Sequence, residues 1–425
     1  MEFSSKKVFI ILLILASLFL LYFSFTFINK NQYLINKVSS KDFIYGTNSI
    51  TTAVDSLNLA DLPKKLENPP VVLKAIYITG WSAGSKKYLN YLNELFKTTQ
   101  INSVVIDIKE NFGSVSYKTG AKKAKEYKAY YPEISDINAL VKELHSQGIY
   151  VIGRMVIFED SILAKNRPDL AVYDKSKTQD LSKLILWQDN HSLSWVDPAS
   201  QEVWDYNIEI ARDAVSHGFD EINFDYVRFP TDGKLDNIGF PVWDQKIPRH
   251  LIINNFFKKL RESLPDTKIS IDLFGQTTTN TDDMGIGQTF EDSLNYFDYV
   301  CPMVYPSHYI NGFLGFKNPA DHPYQIIKYA TDSAIARQKV YAKINNKLAE
   351  NPHDQKIGVG ASKLAKIRPW LQDFNLGAIY NTDMVLQEIK AVSDSTGADF
   401  NGYLLWNPSN IYTKGAIIKE DIMPK

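Results

Sequence analysis

The stretch Gly218–Pro230, GFDEINFDYVRFP, decides the fold. In an extended chain, residues i and i+2 share a face. Asn223 and Asp225 therefore point one way, and Ile222, Phe224 and Tyr226 the other. The apolar face is what a strand lying under helices requires. The carboxylate is unusual, because an unpaired charge is expensive to bury. Strands that carry polar groups inward near their C-terminal ends belong to (β/α)8 barrels, whose active sites open at that end.

The rest of the chain agrees with that reading. From Val71 onward, short β-branched runs alternate with amphipathic stretches, the pattern of βα units on a parallel sheet. Strands are expected at 72–79, 103–109, 150–158, 221–227, 268–274, 299–305, 366–372 and 402–406. Helices are expected between them at 86–97, 137–146, 201–217, 250–263, 290–295, 324–349 and 384–395. Eight strands with intervening helices predict an α/β fold, a (β/α)8 TIM barrel over 71–415. No strand leads into a G-x-G-x-x-G loop, which argues against an open doubly wound sheet. The longest insertion, 159–198, places Trp187, His191 and Trp195 where they can roof a site.

Six strands repeat the polar parity of the first. Asp107 and Lys109 end the second strand, Arg154 lies late in the third, and Asp225 ends the fourth. Asp272 lies late in the fifth, Arg368, Trp370 and Gln372 in the seventh, and Trp406 ends the eighth. One polar strand end means little, but six predict a shared polar mouth. Its inventory is three carboxylates (Asp107, Asp225, Asp272), the cations Lys109, Arg154, Arg228 and Arg368, and the pair Tyr305 and His308. Cations beside a carboxylate keep it ionised, while a second carboxylate pushes it towards protonation. Two-carboxylate hydrolysis of glycosides needs that contrast. The competing structural reading is a set of salt bridges closing the top of the barrel.

Composition excludes some classes. Lys and Arg total 47 against 48 Asp and Glu, a net charge of −1 that leaves no footprint for nucleic acid. The single cysteine, Cys301, sits in an apolar run and reads as a buried structural thiol. Seven scattered His residues show no metal-binding spacing, Asp282-Asp283 reads as a polar loop, and no G-x-S-x-G elbow is present. No metal or cofactor is expected. The 24 Tyr and 7 Trp suit either a large core or stacking on sugar rings.

Lys6 and Lys7 precede an uncharged run, 8–28, long enough to cross a bilayer of about 30 Å. Residues 1–28 are read as an uncleaved signal anchor, single-pass, with the bulk of the chain outside the cytoplasm. Residues 29–70, polar and ending in Asn-Pro-Pro, are read as a stalk, and 416–425 as a C-terminal tail.

The opening stretch resembles the fourth-strand signature of chitinase-like glycoside hydrolases, Phe-Asp-Gly-Ile-Asp-Ile-Asp-x-Glu. Phe219, Asp220, Ile222 and Asp225 match it, Asn223 stands for an Asp, and Val227 occupies the place of that family's acid Glu. Substrate-assisted chitinase chemistry is therefore not carried over. INFDYVRFP, CPMVYPSHY, IRPWLQDF and GYLLWNPSN together are similar to a bacterial family of TIM-barrel proteins classed as glycoside hydrolases by analogy, with no characterised substrate. The resemblance implies a glycosidase acting on a cell-surface or environmental polysaccharide. Asp225 is expected as nucleophile or base and Asp272 as acid/base, with Glu110, Glu159 or Asp107 as alternative acids. Trp406, Trp81 and Tyr305 are expected to stack on sugars, and Arg154, His308, Gln372 and Asn407 to bond hydroxyls. The alternative is a degenerate barrel that binds carbohydrate or serves as an envelope scaffold. A deacetylase or esterase lacks the metal triad or the Ser elbow.

Overall fold

The computed structural model describes residues 63–350 and 364–419. The expected anchor at 8–28, most of the stalk and the end of the tail lie outside the described residues. Among the described residues, no helix is long and apolar enough to cross a membrane.

Eight parallel strands close into one barrel: β1 (Leu73–Ile78), β2 (Ser103–Lys109), β3 (Tyr150–Val156), β4 (Glu221–Asp225), β5 (Lys268–Phe274), β6 (Tyr299–Met303), β7 (Trp370–Gln372) and β8 (Gly402–Trp406). Each pairs with the next in sequence, and β1 pairs with both β8 and β2, so no edge remains in the ring. Helices follow the strands: α1 (Lys86–Thr98), α2 (Ile137–Ser146), α3 (Gln201–Ser216), α4 (Arg249–Ser263), α5 (Phe290–Ser293), α6 (Pro323–Glu350), α7 (Thr382–Thr396) and α8 (Lys414–Ile417). Several begin where a side chain satisfies an orphan N–H. Asp136 caps α2, Ser200 caps α3 and Asn381 caps α7.

The two parities make two cores. Ile76, Ile106, Ile222, Phe224 and Ile271 face the helices. Leu73, Ala75, Tyr77, Val105, Ile152, Cys301, Trp370 and Leu404 fill the barrel. The interior is packed and polar groups are confined to particular layers, as the fold requires. Cys301 lies there as expected, its thiol pushed up by burial.

Three local departures change where side chains go. The register of β2 against β3 shifts between Asp107 and Lys109, so Lys109 lies opposite Met155, a helix-facing residue. A bulge of this kind turns the next side chain to the other face. Strand β4 stops at Asp225 because Tyr226 takes a left-handed backbone, φ +53°. The seventh strand is broken: Lys366–Ile367 pairs with β6, and Pro369, which lacks an N–H, separates it from β7. Between β2 and α2 the sequence reading missed an excursion. Val115–Tyr117 pairs antiparallel with β2 and parallel with Tyr130–Ile134, extending the sheet beyond the barrel.

Candidate active site

The mouth at the strand C-termini holds a cavity of about 440 Å³, lined among others by Arg154, Asp225, Asp272, Tyr305, His308, Trp370 and Trp406. Arg154 is its electrostatic centre. From β3 its Nη2 donates to Asp225 Oδ2 at 2.5 Å and its Nε to the same oxygen at 3.1 Å. Its Nη1 donates to Asp107 Oδ1 at 2.5 Å. Asp272 Oδ2 lies 3.9 Å from Nε. All four side chains are almost wholly buried. One guanidinium thus faces three carboxyl groups from three strands, which no sequence-local pairing provides.

Asp225 and Asp272 sit side by side because β4 and β5 run in register, Asn223 opposite Ser270. Their Oδ2 atoms lie 3.1 and 3.9 Å from the same nitrogen, so at most about 7 Å separates them. Their environments differ. The Tyr226 N–H donates to Asp225 Oδ1 at 2.6 Å, and Arg154 supplies two further donors. Donors of this kind fit the carboxylate form. Asp272 lies farther from Arg154, at 3.9 Å, and no hydrogen bond joins the two. Burial, and then the Asp225 charge, hold its carboxyl well above the usual range. Trp370 Nε1 and Asn223 Nδ2 both donate to its Oδ1 at 2.8 Å. A proton on this carboxyl group would therefore sit on Oδ2, the oxygen nearer Arg154. The arrangement sets a carboxyl group held by hydrogen-bond donors beside one that burial pushes towards protonation, the contrast that two-role carboxylate chemistry uses.

Aromatic rings complete the walls. Trp406 stacks on Tyr77 at 3.9 Å and meets Trp370 edge-on, while Arg154 lies over the Trp406 ring at 5.2 Å. Tyr305 meets His308 and Phe374 edge-on, and His308 stands exposed at the rim.

The other expected site residues divide clearly. Arg228 lines the cavity but makes no ion pair with Asp225. Its guanidinium lies 4.8 to 4.9 Å from the Trp195, Tyr226 and Phe274 rings and bonds Phe229 O and Thr231. Asp107 lies beneath the cavity, held by Arg154 and by Tyr77 Oη at 2.5 Å. Lys109 is turned outward by the bulge and pairs with Asp160 at 2.8 Å. Arg368 does point inward, but four residues before the strand end, roughly 13 Å lower. There it pairs with Glu221 in the barrel floor. Parity gives direction, not depth.

Gln372 and Asn407 are not free to bond a ligand. Gln372 accepts from Ser307 Oγ at 2.8 Å and donates to Phe374 O; Asn407 donates to Asp373 O and Ile411 O and accepts from Ser409. Both shape the loops around the mouth instead. Glu110, Glu159 and Trp81 lie outside the cavity lining. Burial and the neighbouring Asp189 push Glu159 up to about 8. Of the expected roof, Trp187 and Trp195 are buried, bonded to Lys234 O and Asp189 respectively, and His191 is exposed. Asp282 and Asp283 each cap a backbone N–H two residues on, as a polar turn does. Among the described residues, no group of three or more His, Cys, Asp or Glu is placed to hold a metal ion. Sequence reasoning did not assign cavity roles to Phe274, Gly275, Gln276, Met303 and Tyr309, whose only signal was proximity to predicted strand ends.

Comparison with known proteins fits this geometry. The glycoside hydrolase domain of PgaB (BpsB) from Bordetella bronchiseptica is 14% identical, with 80% of this chain and 95% of that one covered at a TM-score of 0.54. At that identity the likeness is one of fold. A hypothetical protein from Ruminiclostridium thermocellum ATCC 27405 is 38% identical over 46% of this chain and 96% of its own, with a TM-score of 0.42. The alpha-galactosidase TtGalA from Thermus thermophilus is 13% identical over 83% of this chain and 60% of its own, with a TM-score of 0.44. No curated protein matches the sequence. Residues 75–412, nearly the whole barrel, match the family described as "Putative glycosyl hydrolase domain", and the chain belongs to that family.

Proposed function

We propose that this protein is an extracytoplasmic glycoside hydrolase that cleaves an oligo- or polysaccharide by a retaining, two-carboxylate mechanism. The observation that carries the reading is the Asp225–Asp272 pair: two carboxyl groups within about 7 Å on one aromatic-lined cavity, Asp225 held by hydrogen-bond donors from Arg154 and Asp272 pushed towards protonation by burial. Retaining enzymes space their carboxyl groups at about 5–5.5 Å, inverting ones at about 6.5–9.5 Å. The limit of about 7 Å accommodates the shorter class and leaves only the lower edge of the longer one.

In the first step Asp225 attacks the anomeric carbon as the glycosidic bond breaks. The Asp272 Oδ2 proton passes to the leaving oxygen. In the second step Asp272, now a carboxylate, takes a proton from water, which displaces Asp225 from the sugar. The binding-only alternative rested on Asp225 being locked against Arg154 without a second acid. Arg154 does bind Asp225, but the second acid is present.

Asp272→Asn tests the acid role. Loss of protonation should lower turnover of unactivated oligosaccharides by about 10²–10⁴-fold. Nitrophenyl glycosides, whose leaving group needs no proton, should lose far less. Equal losses on the two substrate types would sink the assignment. The location rests on the uncharged run at 8–28. Protease added to intact cells should digest the barrel, and full protection would place it inside.

A further inference from the structure

Two large aromatic rings stand in water beside the mouth. Trp81 is 59% exposed and Tyr131 58%, with ring centroids 5.5 Å apart and planes tilted 48°. A lone exposed apolar side chain needs no explanation, but a juxtaposed pair rimmed by polar groups marks a binding surface. The polar groups are Glu110 and Glu133. Glu133 lies beside Glu110, and its Oε2 is buried against Gly80 without a hydrogen-bond partner. Burial and the neighbouring Glu110 push Glu133 up to about 8, so near neutral pH the pair carries a proton and offers both a donor and an acceptor. Gly80 is required where it stands, because Glu133 and Ser116 leave no room for a side chain.

The platform is held rigidly. Trp81 lies on the short helix Gly80–Gly84, which Thr79 caps. Asn410, in the loop after Trp406, accepts from Thr79 N at 3.0 Å and Ser82 Oγ at 2.6 Å. It does so from a left-handed backbone, φ +56°, which a non-glycine residue keeps only when its contacts fix it. The same loop therefore anchors both the cavity wall and the platform. Glu110 feels the charges of Asp107 and Arg154. Trp81 and Glu110 follow the C-terminal ends of β1 and β2, so the platform stands at the mouth end of the barrel on the side from which no cavity-lining residue comes.

We propose that Trp81, Tyr131, Glu110 and Glu133 form an outer subsite for a sugar residue of a linear polysaccharide whose neighbouring residues occupy the cavity. This rests on the glycosidase reading and narrows it to polymeric substrates. The rings offer flat apolar faces to the C–H face of a pyranose, and the carboxyl pair meets the hydroxyls at its edge.

Affinity electrophoresis of the full chain through gels containing partially acetylated chitosan, mixed-linkage β-glucan or galactomannan tests it. Retardation is expected in at least one gel. Trp81→Ala/Tyr131→Ala should weaken that retardation by about tenfold, equivalent to about 1.4 kcal/mol. Each single variant should fall between, which guards against misfolding of the double. On a cleaved polymer the double variant should raise KM more than tenfold further than it does on a nitrophenyl glycoside. Cleavage with unchanged retardation overturns the subsite alone. Retardation that depends on both rings without cleavage of any polymer leaves the subsite standing and overturns the hydrolase reading. Absence of retardation in every gel overturns the subsite, as does a wild-type dimer that the double variant dissolves, which would make the rings a self-association surface.

Discussion

Asp225→Asn is expected to lower turnover by at least about 10⁴-fold, the order of loss when one reacting group is removed from a set that acts as a unit. The reason is chemical. An amide cannot form the glycosyl ester, and no other carboxylate on the cavity has the geometry to replace it: Asp107 lies beneath and Asp272 holds a proton. Stability should respond in the opposite sense to the usual core polar substitution. With Asp272 protonated, the cluster holds two anions, Asp107 and Asp225, against the single Arg154 cation. Converting Asp225 to a neutral amide balances those charges, and the Asn oxygen still accepts from Arg154, which offsets the loss of the bond from Tyr226 N–H. The melting temperature should therefore move by no more than about 3 °C, a shift equivalent to about 1 kcal/mol for a domain somewhat smaller than this one. Kinetics on the best polysaccharide substrate and a thermal melt check both halves. Near-normal turnover would remove Asp225 from the chemistry. An unfolded variant would favour the reading of the cluster as salt bridges that close the barrel.

The sequence revealed the ring of strands because each carries its own period-two pattern, and the strand boundaries fell within two residues of those observed except in the seventh, which is broken ahead of Trp370. β2, β5 and β8 match residue for residue. The candidate pair was legible for the same reason: Asp225 and Asp272 share the inward parity of neighbouring strands, and parallel pairing in register does the rest. What parity could not convey was height. Arg368 has the inward parity and lies in the floor, while Lys109 has it in sequence and loses it to a bulge one residue earlier. A bulge leaves no sequence mark when the inserted residue, here Ile108, is as apolar as its neighbours.

Saturation of side chains was equally hidden. Gln372 and Asn407 end predicted strands and look available, yet both are spent on loop backbone. The Trp81–Tyr131 platform joins residues 50 positions apart through an excursion whose first strand is only three residues long. Its partner strand, Tyr130–Ile134, contains Pro132, which argues against a strand when read alone. At an exposed edge that proline is tolerated.

Arg154→Met should be the most destabilising single change at the site. It removes the only cation among the described residues that pairs with Asp107 and Asp225 and leaves both carboxyl groups buried. Breaking a buried pair from one side costs about 3–5 kcal/mol. The pH dependence carries the diagnostic sign. Burial already holds the Asp107 carboxyl above its usual range, with Arg154 and Tyr77 opposing that rise. Without Arg154 the folded value climbs further. A raised folded value means that the group's contribution is fully present below the unfolded carboxylate value of about 3.9. That contribution is lost as pH rises through the folded value, because the folded state then binds more protons than the unfolded one. The stability gap between wild type and Arg154→Met should therefore be smallest near pH 4 and widen towards pH 7. Adding Asp107→Asn to the variant should recover part of the loss at pH 7, since one uncompensated charge is removed while Tyr77 keeps an acceptor. Denaturant titrations across that pH range decide the matter. A gap that stays constant with pH would show that Arg154 stabilises the barrel by packing on Tyr77 and Trp406 rather than by holding its carboxylates.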